Sequence, residues 1–256
     1  MKVIACCVVS AIAWSAVASV HAAEGDKVIR IFRDVVEPAQ QVAYEAAVKN
    51  YNKCLAQHGF KYSWLAWNHE TGNVYMYSYA AGPYSWADFD SMHETSKACD
   101  DSWRSEANPH LQGEVSVFLV EVPELSHPSK DKDAKPALIN VTAFTLKSAN
   151  GSDDAFKDAV KKITAAADKS NWSGHYITYR LRGGDKDMPD YLVISPYKNW
   201  AAYGAGANPP VWKMLEGVDG KPAADAVHKS LDDVVQDVNS HVDSYSAELT
   251  YTPPGK

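Results

Sequence analysis

The stretch VYMYSYAAGPYSWADF, residues 74–89, has a counterpart in YLVISPYKNWAAY, residues 191–203, and this pair decides the fold. In both stretches a run of strand-forming residues leads into Pro-Tyr, and a tryptophan follows two or three residues later. The matching pairs along the chain are Phe32 with Phe144, Tyr44 with Phe156, Tyr51 with Ile163, Pro83 with Pro196, Tyr84 with Tyr197, Trp86 with Trp200, and Phe89 with Tyr203. The sequence therefore contains two copies of one unit, and such a repeat limits the folds available to the chain.

Each copy has the pattern strand, helix, strand, strand, helix, strand. In the first copy an apolar run from Val28 to Phe32 predicts a strand, and apolar residues at helical spacing follow Pro38. Turn residues at 70–72 and 183–184 predict a hairpin in the middle of each copy. The closing strands are predicted at 115–122 and 245–251. A unit of this order places two helices on one face of a four-stranded antiparallel sheet.

The second face of such a sheet is apolar and needs a cover. Two units in one chain can cover each other, which explains strands that are apolar on both sides. On these grounds, together with the aromatic start of each second helix, the chain resembles the dimeric α/β-barrel superfamily. That superfamily includes antibiotic-biosynthesis monooxygenases, EthD-like proteins, NIPSNAP-like proteins and chlorite dismutases. The resemblance implies an α+β fold in which two tandem βαββαβ ferredoxin-like repeats form a pseudo-dimeric α/β barrel.

The first 22 residues have the features of a secretory signal peptide. Lys2 precedes an apolar stretch, and small residues lie at the positions that a signal peptidase reads, so we expect cleavage after Ala22. A membrane anchor is the alternative, but the apolar run is shorter than the roughly 20 residues that a bilayer requires. The predicted divisions are a signal peptide at 1–22, repeat 1 at 23–125, a solvated linker at 126–136 and repeat 2 at 137–256. We therefore expect a secreted or periplasmic protein.

Charge and motifs exclude several classes of function. The formal net charge is −7, which argues against nucleic acid as a partner and, after signal cleavage, against a membrane partner. The sequence has none of the usual zinc-binding motifs, no glycine-rich phosphate loop after a strand and no GxSxG elbow. No metal site and no nucleotide site are predicted from these patterns. Association into a homodimer stays open.

Cys54 and Cys99 are the two cysteines that remain after signal cleavage. An exported protein permits a disulfide between them. If both predicted helices that carry them are continuous, however, the sulfurs lie far apart, whereas a disulfide requires α-carbons within about 7 Å. A break in the second helix before Cys99 would bring them together. The sequence leaves a disulfide and two buried thiols as alternatives.

Two histidines are candidates for haem ligands, because haem-binding relatives of this superfamily use a histidine on a helix that faces the sheet. His93 follows Trp86 by seven residues. The predicted last helix carries Val227, His228, Leu231, Val234 and Val238. Either histidine can equally be a surface or boundary residue. The prediction is therefore no cofactor, with haem as the alternative.

Aromatic residues crowd the first copy, and they can fill the core or form the walls of a ligand cavity. The resemblance places such cavities between sheet and helices. The candidate ligand-binding residues are Tyr62, Trp64, Trp86, His93, Tyr176, Trp200 and His228. No catalytic residue is predicted.

These patterns favour an exported protein that binds a small apolar or aromatic molecule. One alternative is an oxidoreductase that resembles the cofactor-free or haem-dependent monooxygenases of the superfamily. The other is a structural or interaction protein without a ligand pocket.

Overall fold

The structure is a computed structural model that describes residues 27–131, 135–185 and 187–255. The predicted signal peptide lies outside the described residues. The strands are β1 Val28–Val36, β2 Trp64–His69, β3 Met76–Tyr84, β4 Leu111–Glu121, β5 Leu138–Leu146, β6 Ile177–Arg182, β7 Tyr191–Tyr197 and β8 Val235–Tyr251. The helices are α1 Gln41–Gln57, α2 Trp86–Ser96, α3 Ser152–Ser170, α4 Trp200–Ala205, α5 Val211–Asp219 and α6 Lys221–Val234.

The eight strands form a closed antiparallel barrel in the order β1-β3-β2-β8-β5-β7-β6-β4. In the first half β1 lies between β3 and β4, and in the second half β5 lies between β7 and β8. The halves join where β2 pairs with β8 and where β4 pairs with β6. The predicted α+β barrel is confirmed, and the two halves contribute their strands in the same order.

Alternation along β1 creates two separate environments, because successive side chains of a strand point to opposite faces. Ile31 points into the barrel, where it packs with Leu119 and Leu192. Phe32 points outward and packs beneath α1 with Tyr44. The barrel interior and the space between sheet and helices are thus lined by different residues of the same strands.

The segment after α2 is irregular, and this irregularity brings the two cysteines together. Ser85 caps α2 through reciprocal hydrogen bonds with Asp88, and the helix ends at Ser96. A short 3-10 helix, Lys97–Cys99, follows, so the α-helix does not continue to Cys99. The Cα atoms of Cys54 and Cys99 lie 5.9 Å apart, and a disulfide joins the two residues.

Two boundaries differ from the sequence-based prediction. The last helix ends at Val234, so the prediction that it includes Val238 is wrong. Pairing with β5 holds this segment as a strand from Val235 onward, ahead of the predicted start at residue 245.

The segment predicted as a solvated linker begins with two buried residues, Ser126 and His127. The backbone of His127 forms an isolated β-bridge with Tyr176. The ring nitrogen Nδ1 of His127 lies 2.6 Å from a carboxylate oxygen of Asp168. These contacts attach the start of the segment to the second half of the barrel. Among the described helices, none combines the length and the apolar character that a membrane span requires.

Candidate functional site

A cavity of about 320 Å³ lies between the sheet and the helices of the first half. This volume is at the lower end of the range for small-molecule sites. Its walls are mainly aromatic and include Phe32, Tyr51, Phe60, Trp64, Phe89 and Trp103. Such walls suit a flat, apolar ligand.

A buried carboxyl group, that of Asp34 on β1, also lines this cavity. The hydroxyl of Tyr44 donates a hydrogen bond of 2.5 Å to Asp34 Oδ2. Asp34 Oδ1 has no hydrogen-bond partner among the residues that the structure describes. Burial raises the pKa of Asp34 to about 7, although the hydrogen bond from Tyr44 opposes the shift. The group can therefore both accept and return a proton near neutral pH.

Hydrogen bonds connect Asp34 to Tyr44 and Tyr44 to Tyr79. The hydroxyl oxygens of Tyr44 and Tyr79 are hydrogen bonded at 2.8 Å. Burial raises the pKa of both tyrosines well above the usual value, so both hydroxyls keep their protons at neutral pH. The hydroxyl of Tyr44 thus remains a donor to Oδ2, while the neighbouring carboxyl group of Glu114 adds to the rise in the pKa of Asp34.

Arg30 and Glu114 add charge to the cavity. Glu114 lies opposite Asp34 in the pairing of β1 with β4, and partial burial raises the pKa of Glu114. The guanidinium of Arg30 stacks over Phe32, 4.4 Å from the ring centroid, while its Nε donates to Ser116 at 3.0 Å. Arg30 supplies a fixed positive charge that can stabilise an anionic ligand.

Trp64 contributes a second unused polar atom. Its ring packs against Tyr251 at 4.9 Å and Phe60 at 5.9 Å between centroids. Its Nε1 is buried and has no hydrogen-bond partner among the residues described. A buried N–H without a partner is costly, and a ligand oxygen could remove that cost. The cavity thus offers a hydrogen-bond donor in Trp64 and an acceptor in Asp34.

Among the candidates from the first copy, Trp64 and His93 line the cavity. Tyr62 instead packs edge-on against Tyr84 at 5.2 Å. Trp86 is 37% exposed and packs against Phe118 at 5.1 Å. The helix that begins at Trp86 therefore reaches the cavity through later residues.

The candidates from the second copy lie elsewhere. Tyr176 is buried, with its hydroxyl 2.9 Å from the hydroxyl of Thr164. Trp200 is 51% exposed. The ring of His228 packs against Trp212 at 4.4 Å between centroids. The structure does not gather these three residues with Trp64 and His93.

Apolar side chains fill the corresponding space of the second half. At the repeat spacing of 112 residues, Asp34 and Tyr44 correspond to Leu146 and Phe156. Phe156 stacks on Tyr191 with the ring centroids 4.6 Å apart, and both rings are buried. The proton-accepting group is therefore specific to the first half.

Asp34 is the main residue that the sequence analysis missed. It is a single acidic residue inside the apolar strand VIRIFRDVV, where a charged residue is usually solvent-exposed. The sequence did contain an indication of this role. Asp34 lies two residues after Phe32 and so faces the same side of the strand, and the corresponding position 146 is a leucine. Comparison of the copies at helix-facing strand positions would have identified it.

The two helical histidines that are candidate haem ligands are both exposed. His93 lines the cavity, which contains the carboxyl groups of Asp34 and Glu114 as well as the guanidinium groups of Arg30 and Arg104. His228 lies elsewhere and packs on Trp212. No step below depends on haem.

Because both histidines are exposed, addition of haemin to the purified protein is expected to give the same Soret band in the wild type, His93→Ala and His228→Ala. Absorption spectroscopy at equal haemin and protein concentrations provides the measurement. A band that moves or weakens in one of the variants alone would show that its histidine binds haem.

No protein-family model matches this chain, and the comparison with curated proteins finds no similar sequence. Solved structures do match. A candidate monooxygenase from Lactobacillus acidophilus has a TM-score of 0.53 and 11% identity, and the match covers 88% of this chain and 95% of that one. An anthrone oxidase-like protein has a TM-score of 0.54 and 12% identity, with coverage of 90% and 95%.

Chlorite dismutase from Candidatus Nitrospira defluvii, in complex with imidazole, has a TM-score of 0.53 and 10% identity, with coverage of 87% and 92%. TM-scores above 0.5 at identities this low show a shared fold and nothing further. That fold is the dimeric α/β barrel, as the sequence resemblance implied.

Proposed function

We propose that the cavity of the first half binds a small, flat aromatic molecule and that the protein oxidises this molecule without a cofactor. The observation that carries the proposal is the buried carboxyl group of Asp34, with a pKa of about 7, in an aromatic cavity. The match to an anthrone oxidase-like protein and to a candidate monooxygenase supports this reaction class.

The reaction begins with removal of a proton from an activated CH₂ group of the substrate. The Asp34 carboxylate accepts the proton, and the two electrons of the C–H bond remain on the aromatic substrate. The resulting carbanion gives electrons to dissolved O₂, and a C–O bond forms. Loss of water then leaves a carbonyl group, so that R₂CH₂ and O₂ become R₂C=O and H₂O. Dioxygen is the oxidant, and the proton on Asp34 leaves with the water.

The other residues of the cavity stabilise the anion that proton removal creates. The negative charge spreads to a substrate oxygen. The N–H of Trp64 and the guanidinium of Arg30 can stabilise it there. Donors fixed in advance around a developing charge lower the barrier without reorganisation. Tyr44 orients the carboxyl group through its hydrogen bond to Oδ2.

Anthrone is a suitable probe because it is flat and carries an acidic CH₂ group. Titration of the protein with anthrone without oxygen is expected to quench tryptophan fluorescence to saturation, since Trp64 and Trp103 line the cavity. Trp64→Phe keeps the aromatic wall but removes the N–H, so it should weaken binding about 3- to 10-fold, the value of one hydrogen bond.

Trp200→Phe is the matched control, because Trp200 lies outside the cavity lining. Its dissociation constant for anthrone should equal that of the wild type. Quenching that never saturates, or an equal loss of affinity in both variants, would contradict a ligand site at Trp64. Oxygen consumption in the presence of anthrone then measures the reaction.

We further propose that the protein is exported and that each half is one copy of a ferredoxin-like unit. The disulfide between Cys54 and Cys99 supports export, because disulfides persist in oxidising compartments. The common strand order and the repeated sequence support duplication. N-terminal sequencing of the exported protein should begin at Ala23. Homodimer formation stays a prediction, to be tested by light scattering.

A further inference from the structure

We propose that His69, His241 and Asp243 bind a divalent transition-metal ion at one end of the barrel interior, apart from the cavity of the proposed oxidation. His69 is the last residue of β2 and pairs with Asp243 on β8. His241 lies two residues before Asp243 and therefore projects from the same face of β8. Two adjacent strands thus bring together two imidazoles and a carboxylate, whose potential ligand atoms all lie within 4.8 Å of one another.

The separations fit an ion better than direct hydrogen bonds. Asp243 Oδ1 lies 3.6 Å from His69 Nε2 and 3.5 Å from His241 Nε2. Both distances exceed those of ordinary hydrogen bonds. Ligand atoms that surround Zn²⁺ tetrahedrally at about 2.1 Å lie roughly 3.4 Å from each other. The carboxylate oxygen is therefore spaced from His69 Nε2 as it would be around one ion, and His241 Nε2 lies at a similar distance before its ring turns.

Asp243 provides an independent observation. Its side chain is 2% exposed, and Oδ1 has no hydrogen-bond partner within the described part of the chain. A buried carboxylate oxygen without a partner is costly, whereas a bound cation would stabilise it. Two histidines and one carboxylate are a ligand set that Zn²⁺ and Fe²⁺ use, with the remaining positions open.

The interior cavity defines what the ion would face. His241 and Asp243 line an interior cavity of about 250 Å³ together with Arg33 and several aliphatic residues. The charge of Arg33 interacts with that of Asp243 and repels a cation bound there. An anion such as hydroxide or a carboxylate in an open coordination position would offset this repulsion. Ser78 Oγ lies 3.0 Å from His69 Nε2, and this nitrogen would give up that hydrogen bond to bind the ion.

One side chain has to move when the ion binds. The rings of His69 and His241 are stacked with their centroids 4.4 Å apart and an angle of 13° between planes. Stacked imidazoles cannot both direct their lone pairs at one ion, so one ring has to turn. His241 can turn more easily because its side chain is 17% exposed, against 4% for His69.

A second group of potential ligands, Cys54, His58 and Cys99, is the rival for any bound metal. Its two sulfurs are joined in the disulfide, and thiolates rather than disulfide sulfurs bind metals. His58→Ala therefore serves as a control that leaves the barrel interior unchanged.

The test is calorimetric titration of the oxidised, chelator-treated full chain with Zn²⁺. We expect about one ion per chain, and affinity more than about 100-fold weaker in Asp243→Asn and His241→Gln, since direct ligands should matter more than their supporting neighbours. His58→Ala should bind as the wild type does. Should Asp243→Asn fail to fold, the partly exposed His241→Gln decides. Absence of stoichiometric binding, or equal binding by wild type and His241→Gln, would overturn the proposal.

Discussion

Asp34→Asn is expected to lower kcat/KM for the oxygen-consuming reaction by about 10²- to 10⁴-fold, the usual contribution of a positioned general base. The substitution preserves the size of the side chain and its contact with Tyr44 but removes the proton-accepting oxygen. Anthrone binding, measured by fluorescence, should change much less than the rate. A large loss of rate with retained binding would identify Asp34 as a group that acts on the reacting atoms.

Asp153→Asn is the matched control for this experiment. Asp153 also accepts a hydrogen bond from a tyrosine, Tyr191, at 2.6 Å, but it belongs to the second half and does not line the cavity. Its replacement should leave the rate unchanged. The proposed role of Asp34 would be wrong if Asp34→Asn retained full activity or if both variants lost activity equally.

The pH dependence follows from the same carboxyl group. The reaction requires the carboxylate, so kcat/KM of the wild type should rise with pH through about 7, where Asp34 loses its proton. Stability should move in the opposite direction. Because the folded-state pKa lies above the ordinary value of 3.8, the native protein binds more protons, and the contribution of Asp34 to stability falls as pH rises from about 4 through 7.

Asp34→Asn removes this titration. The stability of the variant relative to the wild type should therefore increase with pH over that range, as measured by urea unfolding at several pH values. A constant difference between pH 4 and pH 8 would show that the pKa of Asp34 is not raised.

Removal of the disulfide is expected to produce the largest loss of stability. Cys54 and Cys99 are separated by 45 residues, and closure of a loop of this length stabilises the folded state by about 4 kcal/mol in the chain-entropy model. For the double variant Cys54→Ala/Cys99→Ala we expect the midpoint of thermal unfolding to fall by about 10 °C. The disulfide also attaches α1 to the segment that carries cavity residues Asp100 and Trp103, so anthrone affinity should fall as well.

Reduction of the wild type with dithiothreitol supplies the control. It should lower the unfolding temperature as the double variant does, whereas the double variant itself should not respond to the reductant. If the wild type unfolds at the same temperature with and without dithiothreitol, the disulfide is absent or contributes nothing.

The repeated aromatic pattern and the strand alternation were sufficient to predict the barrel. The start of each second helix at Trp86 and Trp200 was also predicted correctly. The prediction was less accurate where long-range pairing determines the structure. Val238 has helical spacing from Val234, but the ladder between β8 and β5 holds it in a strand. The break before Cys99 is what allows the disulfide to form, yet nothing in the local sequence reveals it.

The sequence by itself determined that the chain folds as one α+β barrel, because repeats and hydrophobic periodicity are local properties that can be read along the chain. The tertiary structure alone decided which residues form sites. Asp34 has a raised pKa because α1 and β4 bury it, and Asp243 meets His69 because two strands distant in sequence are neighbours in the barrel. Burial and proximity depend on residues far apart in the chain, so the two sites emerge only when the barrel closes.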